Sequence, residues 1–252
     1  MYFGASDVEE KWTTEKIENY RRSSEYTGFH KKLSVYAEPY LDESWEMADI
    51  GCGPGLIDFF LAPSVKSIDA IDKFEIIISE LNKQLDEVFY TNRAIAEKIT
   101  PLHKEMKDLG DREWDVVIMN FFGASEEILK EILPRARKRA IIFMVGRTQS
   151  DYLSIINQRS SDLSYEEVEK FLNKEGYAFK RSTMDLQIGI PFKNIEEIHT
   201  FLERFDCDDS EKAERMAASA EEKIVKTNRF DYPYYLPNSL NIVQFIIVKG
   251  FV

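Results

Sequence analysis

The sequence predicts an α/β protein with a doubly wound, mostly parallel sheet, and three observations support that prediction. After residue 45, apolar strand-like segments alternate with amphipathic helical segments, the order that produces parallel strands joined by crossover helices. The first strand begins at Glu46 and runs into three glycines at alternate positions, Gly51, Gly53 and Gly55. The second strand ends on Asp72. In open α/β sheets such turns and strand ends form the edge where ligands bind.

The apolar pattern places the remaining elements of the sheet in order. Further strands are predicted at 65–72, 99–104, 114–120 and 140–145. The strand at 114–120 is apolar on both faces, as a buried parallel strand should be. A helix follows the second strand, and another spans 125–133 before Pro134. The apolar stripe of the helix after the second strand contains Phe74, Ile77, Ile78, Leu81 and Leu85.

Residues 1–44 are predicted to form an N-terminal helical cover over the sheet. The apolar positions fall at helical spacing and indicate one helix that leads into the first strand. These positions are Tyr26, Phe29, Leu33, Tyr36 and Tyr40.

Residues 45–252 are predicted to form the main domain, with a helical insertion at 193–238. Ser164 and Glu167 form a capping box for a helix that ends at Gly176. Extended segments follow at 177–192 and 240–251, and the chain between them is longer than a hairpin needs. Helices are expected there at 195–205, with Asn194 as the N-cap, and at 210–227.

Composition excludes several classes of function. The net charge of −12 argues against a nucleic-acid partner held by phosphate neutralisation. The two cysteines, Cys52 and Cys207, give neither a disulfide framework nor a zinc-ligand spacing, so no metal site is expected. No apolar run approaches the length that spans a bilayer. We therefore expect a reduced, cytoplasmic protein with no membrane partner.

After the glycine turn, Asp72 is the second feature of the sequence that points to a ligand. It follows Asp49 by 23 residues and ends a strand, where doubly wound nucleotide folds place an acid against ribose hydroxyls. The alternative is an ordinary acid that faces water at the end of a strand. Asp69 is a weaker candidate, because it lies before the sheet edge.

The segment 46–56 resembles motif I of the class I S-adenosylmethionine-dependent methyltransferases, Asp/Glu-x-Gly-x-Gly-x-Gly. Asp49 and the three glycines match all four fixed positions. Nicotinamide dehydrogenases use Gly-x-Gly-x-x-Gly instead, and Leu56 stands where their third glycine would be. The resemblance implies S-adenosylmethionine as the cofactor. It assigns the cofactor site to Asp49, Gly51, Cys52, Gly53, Gly55 and Asp72.

The resemblance extends, more weakly, to residue 145 and implies further cofactor contacts. Residues 102–109 look like the segment in which an acid meets the adenine amino group and the next amide meets the ring. These roles fall to Glu105 and Met106, with Asp108 as the alternative acid. Asn120 matches the strand-four position that faces the cofactor's amino-acid part or the acceptor.

The architecture implied by the resemblance is a seven-stranded sheet whose last strand is antiparallel. The implied activity is methyl transfer to a small or medium-sized acceptor. A macromolecular methyltransferase acting on protein or RNA, and a non-catalytic S-adenosylmethionine-binding subunit, remain alternatives. The insertion is interpreted as an acceptor-site lid, or else as a structural decoration or homodimer contact. No catalytic residue is assigned.

Two further groups of residues are of interest. His30, His103 and His199 have no partners at metal spacing. They are interpreted as surface or satisfied histidines, although the leading helix that holds His30 often borders the cofactor pocket in this family. Tyr20, Arg21 and Arg22 are expected in a solvated turn, with contact to the cofactor carboxylate as the alternative.

Overall fold

A computed structural model describes residues 12–146, 163–203 and 210–248. It contains two sheets, one of seven strands and one of three. The strands are β1 (Glu46–Ile50), β2 (Ser67–Asp72), β3 (Ile99–His103), β4 (Trp114–Asn120), β5 (Ala136–Val145), β6 (Ala178–Gln187), β7 (Ile190–Phe192), β8 (Val225–Lys226), β9 (Tyr234–Leu236) and β10 (Ser239–Val248).

The large sheet has the strand order β3-β2-β1-β4-β5-β10-β6. Strands β1 to β5 pair in parallel, and β10 pairs antiparallel with both β5 and β6. The expected seven-stranded sheet with an antiparallel last strand is confirmed. The chain order reverses direction between β1 and β4, which is the switch point where open α/β sheets bind ligands.

Helices cover both faces of the large sheet. They are α1 (Thr14–Thr27), α2 (Phe29–Ala37), α3 (Asp58–Leu61), α4 (Glu75–Thr91), α5 (Arg93–Ala96), α6 (Glu126–Ile132), α7 (Tyr165–Lys174), α8 (Ile195–Leu202) and α9 (Ser210–Lys223). None of these helices is both long and apolar enough to cross a membrane.

The core lies in two layers because successive strand residues point to opposite faces. Met47 of β1 packs in the layer under α2 and α4, whereas the adjacent Ala48 packs in the layer under α6 and α7. Ile118 and Val117 of β4 alternate in the same way. Burial on both faces accounts for the nearly continuous apolar sequence of the central strands.

Local signals fix the helix starts as the sequence predicted. The Ser125 hydroxyl accepts a hydrogen bond from the Ile128 amide at 3.3 Å at the start of α6. Ser164 and Glu167 make the reciprocal capping box at the start of α7. Each contact satisfies an amide that would otherwise lack a partner in the first helical turn.

The single leading helix of the sequence prediction is wrong, because the structure has two. Gly28 separates α1 from α2 with φ of +66°, and its amide donates to the Ser24 carbonyl. A left-handed residue of this kind ends a helix, and glycine adopts it without steric cost. The apolar stripe continues past the break, so the pattern alone did not reveal it.

The segment 190–236 contains more than the two helices expected from its sequence. The expected extended segment 177–192 breaks at Ile188 and Gly189, and β7 joins a separate sheet in the order β7-β9-β8. A Cβ on Gly189 would lie 2.3 Å from the Leu236 carbonyl oxygen, so the close approach requires glycine. The predicted residues 204–205 and 249–251 lie outside the described residues.

The insertion has a small apolar cluster of its own and is tied to α1. The cluster contains Phe192, Ile198, Met216, Ala220 and Leu236. Arg22 of α1 forms an ion pair with Glu197 of α8 at 3.2 Å. The Arg229 guanidinium lies 4.4 Å from the ring centroid of Tyr26. The N-terminal cover and the insertion therefore pack as neighbours.

Candidate functional site

The residues singled out by the sequence lie along one edge of the large sheet. The glycine turn follows β1, Asp72 ends β2, Glu105 follows β3 and Asn120 ends β4. Because β3, β2, β1 and β4 are parallel neighbours, their carboxyl ends lie side by side. The structure therefore brings the candidate residues to the edge where a ligand is expected.

The glycine turn has a backbone that side chains would not tolerate. Gly51, Gly53 and Gly55 have φ of +70°, +54° and +66°. The amides of Gly51 and Cys52 donate to the Ile71 carbonyl at 2.8 and 3.0 Å, which fixes the turn against β2. A Cβ on Gly55 would lie 2.7 Å from Leu81 of α4. The turn thus keeps a compact, half-buried backbone at the switch point.

Asp72 is tied to that turn. Its carboxylate accepts from the Gly53 amide at 3.1 Å and from the Phe74 amide at 2.9 Å. Burial raises the pKa of Asp72, and the two backbone hydrogen bonds act against that rise. A carboxylate oxygen has more than one lone pair, so both oxygens retain capacity to accept from a ligand hydroxyl.

Cys52, between the first two glycines, is held as a thiol. Its Sγ is 3.2 Å from the Gly53 carbonyl oxygen, to which the S–H donates. Burial and the nearby Asp49 carboxyl raise its pKa well above the usual range. The side chain fills space under the turn and has no nucleophilic thiolate character at neutral pH.

Asp49 faces a second acid that the sequence analysis missed. Asp58, in the first turn of α3, and Asp49 are both completely buried. None of their four carboxyl oxygens has a hydrogen-bond donor among the described residues. The two carboxyls lie within hydrogen-bonding reach of each other, and burial raises the pKa of both. The sequence signal that could have revealed Asp58 is an acidic residue between two apolar residues, Ile57 and Phe59.

A hydrogen-bonded chain from the N-terminal cover approaches this pair. The Ser24 hydroxyl is 2.6 Å from Nδ1 of His30, and Nε2 of His30 is 3.0 Å from the Tyr20 hydroxyl. Burial lowers the pKa of His30 to about 3, so the ring is neutral. Burial and the proximity of Asp49 raise the pKa of Tyr20. His30 is therefore a satisfied buried histidine beside the site.

Glu105 and Met106 follow β3 with different surroundings. Glu105 is exposed and pairs with Lys107 at 2.7 Å. Met106 is partly buried against the core layer under α6 and α7, and it begins a short 3₁₀ turn at 106–109. Asp108, the alternative acid, is exposed.

Asn120 ends β4 beside the glycine turn, and Phe121 follows it. The buried Oδ1 of Asn120 has no donor among the described residues. Phe121 has φ of +55°, which is uncommon for a bulky residue and marks a strained position. Its ring stacks on Phe29 of α2, with 5.9 Å between centroids. The strand end is thus shaped by the N-terminal cover as well as by the sheet.

The predicted solvated turn at Tyr20, Arg21 and Arg22 is wrong. All three residues lie in α1, where Arg21 pairs with Glu25 at 3.7 Å and Arg22 pairs with Glu197. Among residues 12–146, 163–203 and 210–248, no cluster of three His, Cys, Asp or Glu side chains would hold a metal ion.

Solved structures share the architecture of this sheet and its helices. An S-adenosylmethionine-dependent methyltransferase from Aquifex aeolicus superimposes with a TM-score of 0.54 at 13% identity, covering 95% of this chain and 100% of the other. The magnesium protoporphyrin IX methyltransferase of Synechocystis, solved with S-adenosylhomocysteine, gives 0.52 at 14% identity, covering 96% and 90%. The chain has the class I methyltransferase fold. The fold expected from residues 46–56 is confirmed.

Sequence comparisons add a weaker similarity to the methyltransferases. The ribosomal protein L11 methyltransferase of Campylobacter lari is 24% identical over 150 residues, which cover 59% of this chain and 51% of the relative. The chain thus matches about half the length of that methyltransferase. No protein-family model matches the chain.

Proposed function

We propose that the protein is an S-adenosylmethionine-dependent methyltransferase that acts on a small or medium-sized acceptor. The observation that carries the proposal is the glycine turn joined to Asp72 by the Gly53 amide at 3.1 Å. The turn presents backbone in place of side chains, and Asp72 presents a buried acceptor beside it. This combination suits a nucleoside whose ribose hydroxyls are free.

The residues of the sheet edge suit the other parts of S-adenosylmethionine. Asp49 and Asn120 offer buried acceptor oxygens without donors among the described residues, as an ammonium group requires. Glu105 and the Met106 amide follow β3, where the family resemblance places the adenine. Gly51, Cys52, Gly53 and Gly55 provide the surface against which the nucleoside packs.

The chain contributes to methyl transfer by positioning the acceptor relative to the cofactor. The sulfonium of the bound cofactor supplies an already activated methyl group. The residues of the sheet edge must then hold an acceptor atom in line with it and exclude water, and such orientation contributes about 7–11 kcal/mol. A general base is needed only where the attacking atom holds its proton at neutral pH.

The N-terminal cover and the insertion are the candidates for the acceptor side. Three tyrosines meet where they pack, with the Tyr26 ring 5.8 Å from that of Tyr232 and close to that of Tyr235. Such surfaces favour a planar or apolar acceptor over a phosphate backbone. We interpret residues 193–238 as a lid on that side, in agreement with their separate apolar cluster.

A macromolecular acceptor is the second candidate, and the similarity to a ribosomal protein L11 methyltransferase favours a protein over RNA. The net charge of −12 disfavours RNA. A non-catalytic binding subunit would keep the glycine turn but would not require the tyrosines between the N-terminal cover and the insertion.

Calorimetry with S-adenosylmethionine, S-adenosylhomocysteine and NAD tests the proposal. We expect micromolar binding of both adenosyl compounds and no binding of NAD. The mass of any ligand that co-purifies with the native protein is an independent check. Binding of NAD with no response to either adenosyl compound would refute the methyltransferase assignment.

A further inference from the structure

Asp49 and Asp58 form a buried pair of carboxyl groups that the proposed function does not explain. Both side chains are completely buried, and their four oxygens have no donor among the described residues. Two ionised carboxylates in contact inside a protein repel each other and lose their hydration. A proton held between them removes one charge and supplies the missing donor.

The pair lies against the glycine turn. The Oδ2 atom of Asp58 is 3.4 Å from the place where a Cβ on Gly55 would stand. The nearby buried Oδ1 of Asn120, at the end of the adjacent strand, also lacks a donor among the described residues. This part of the edge therefore presents several acceptor oxygens and calls for a ligand that brings N–H donors and positive charge.

Among the described residues, the groups that interact with the pair are acidic or neutral. Asp72 of β2 and the Cys52 thiol of the turn are two of them. Tyr20 of α1, which is hydrogen-bonded to the neutral His30 of α2, is the third. No lysine or arginine contributes to the raised pKa of either acid. The described part of the chain therefore does not neutralise the pair.

We propose that Asp58 shares one proton with Asp49 in the free protein, and that the pair releases this proton to solvent when the ammonium group of the ligand binds there. This inference rests on the proposed function and adds Asp58 as a positioning residue. The ammonium replaces the proton as the positive charge beside Asp49. Asp58 then acts through Asp49, because it sets the protonation state that the ligand meets.

Charge and protons balance when the ligand binds. The free pair carries one proton and one negative charge. Binding brings one positive charge, and the proton leaves to the buffer without any bond being made or broken in the ligand. Binding must therefore weaken as pH falls, because protons compete with the ammonium for the same oxygens.

Calorimetric titration in two buffers with different enthalpies of ionisation, at about pH 6.5, measures the protons released. The probes are S-adenosylhomocysteine, which carries the ammonium, and methylthioadenosine, which lacks the amino-acid part. We expect S-adenosylhomocysteine to release roughly one proton and methylthioadenosine to release almost none.

The Asp58→Asn variant separates this role from a purely structural one. Its amide donates an N–H to Asp49 and keeps that carboxylate ionised, so proton release should disappear and the affinity should lose its dependence on pH. Asp86→Asn, at an exposed position of α4, is the control and should release protons as the wild type does. Infrared difference spectra of the wild type should show a protonated carboxyl band that is lost on binding, which tests the inference even where Asp58→Asn does not fold.

Three results would overturn the inference while the proposed function stands. They are binding of S-adenosylhomocysteine without proton release, equal release by methylthioadenosine, and undiminished release in Asp58→Asn. A protein that binds neither adenosyl compound would overturn both the inference and the proposed function.

Discussion

The ring of Phe122 occupies the space that a side chain on Gly51 would need, with its Cδ2 atom 2.1 Å from an ideal Cβ at that glycine. The contact joins the turn after β1 to the segment after β4. It explains why the first glycine of the turn is required for packing as well as for its backbone angles.

Gly51→Ala should therefore destabilise the protein and abolish adenosyl-compound binding. The left-handed backbone costs an alanine roughly 1–2 kcal/mol, and the displacement of Phe122 adds to that. Gly176→Ala is the matched control, since Gly176 has φ of +74° with nothing within 4 Å of its Cβ position. Urea unfolding and calorimetry measure both effects. Equal losses of stability in the two variants would show that the Phe122 contact is unimportant.

Asp72→Ala should weaken the binding of S-adenosylmethionine while the fold survives. Hydrogen bonds to charged groups contribute about 1.5–3 kcal/mol each, so we expect a loss of about 2–4 kcal/mol, or roughly 30- to 700-fold in affinity. The exposed Asp86 provides the control variant Asp86→Ala. Unchanged affinity in Asp72→Ala would refute the assignment of Asp72 to the ribose.

The buried acid pair should also make stability depend on pH. Burial raises the pKa of Asp49 from 3.8 to about 7 and raises that of Asp58 well above its usual range. Between the ordinary carboxyl pKa of 3.8 and these raised values, the folded protein holds more protons than the unfolded chain, so the free energy of unfolding falls as pH rises. The slope is up to about 1.4 kcal/mol per pH unit for each proton.

His30 acts in the opposite direction, because burial lowers its pKa from 6.5 to about 3. The test therefore compares the free energies of unfolding of the wild type and Asp58→Asn. The contribution of His30 is the same in both proteins and cancels in the difference. Urea unfolding between about pH 5 and pH 7 should show the variant gaining stability relative to the wild type as pH rises. A difference that stays constant with pH would argue against a raised pKa in the acid pair.

Tyr26→Ala should loosen α1 from the insertion. Tyr26 stacks on Tyr235 with 4.9 Å between centroids and 29° between the ring planes, so the variant loses a close aromatic contact. Amide hydrogen exchange should become faster in α1 while β1 and β4 stay protected. Tyr90→Ala, at a residue that is 87% exposed, is the control. Unchanged exchange in α1 would show that other contacts hold it.

Nucleic acid should not bind tightly to this protein. The net charge of −12 opposes the release of counterions that drives such binding. A gel-shift titration with bulk RNA at low salt checks this expectation. Tight binding that weakens steeply with salt would contradict it and would favour an RNA acceptor.

Sequence reasoning identified the parts of the fold and candidate site that depend on local pattern. The glycine turn and Asp72 were recognisable because their residue types and spacing are fixed by backbone geometry within one β-α-β segment. Asp58 was missed because its importance comes from its burial against Asp49 without a hydrogen-bond donor among the described residues, which a sequence does not show. The three-stranded sheet and the stack of Tyr26 on Tyr235 depend on pairings between distant positions, for which a single sequence carries no periodic signal.

The docking of α1 on the insertion has a consequence for how the protein matures on the ribosome. Tyr26 leaves the ribosome about 10–40 s before Tyr235, at synthesis rates of about 5–20 residues per second. Until then α1, a helix of 14 residues, lacks its contacts with the insertion, and a helix of that length is marginal in water by itself. The nascent chain thus docks α1 on the insertion only after residues 234–236 have emerged, and it completes the large sheet only when β10 follows them.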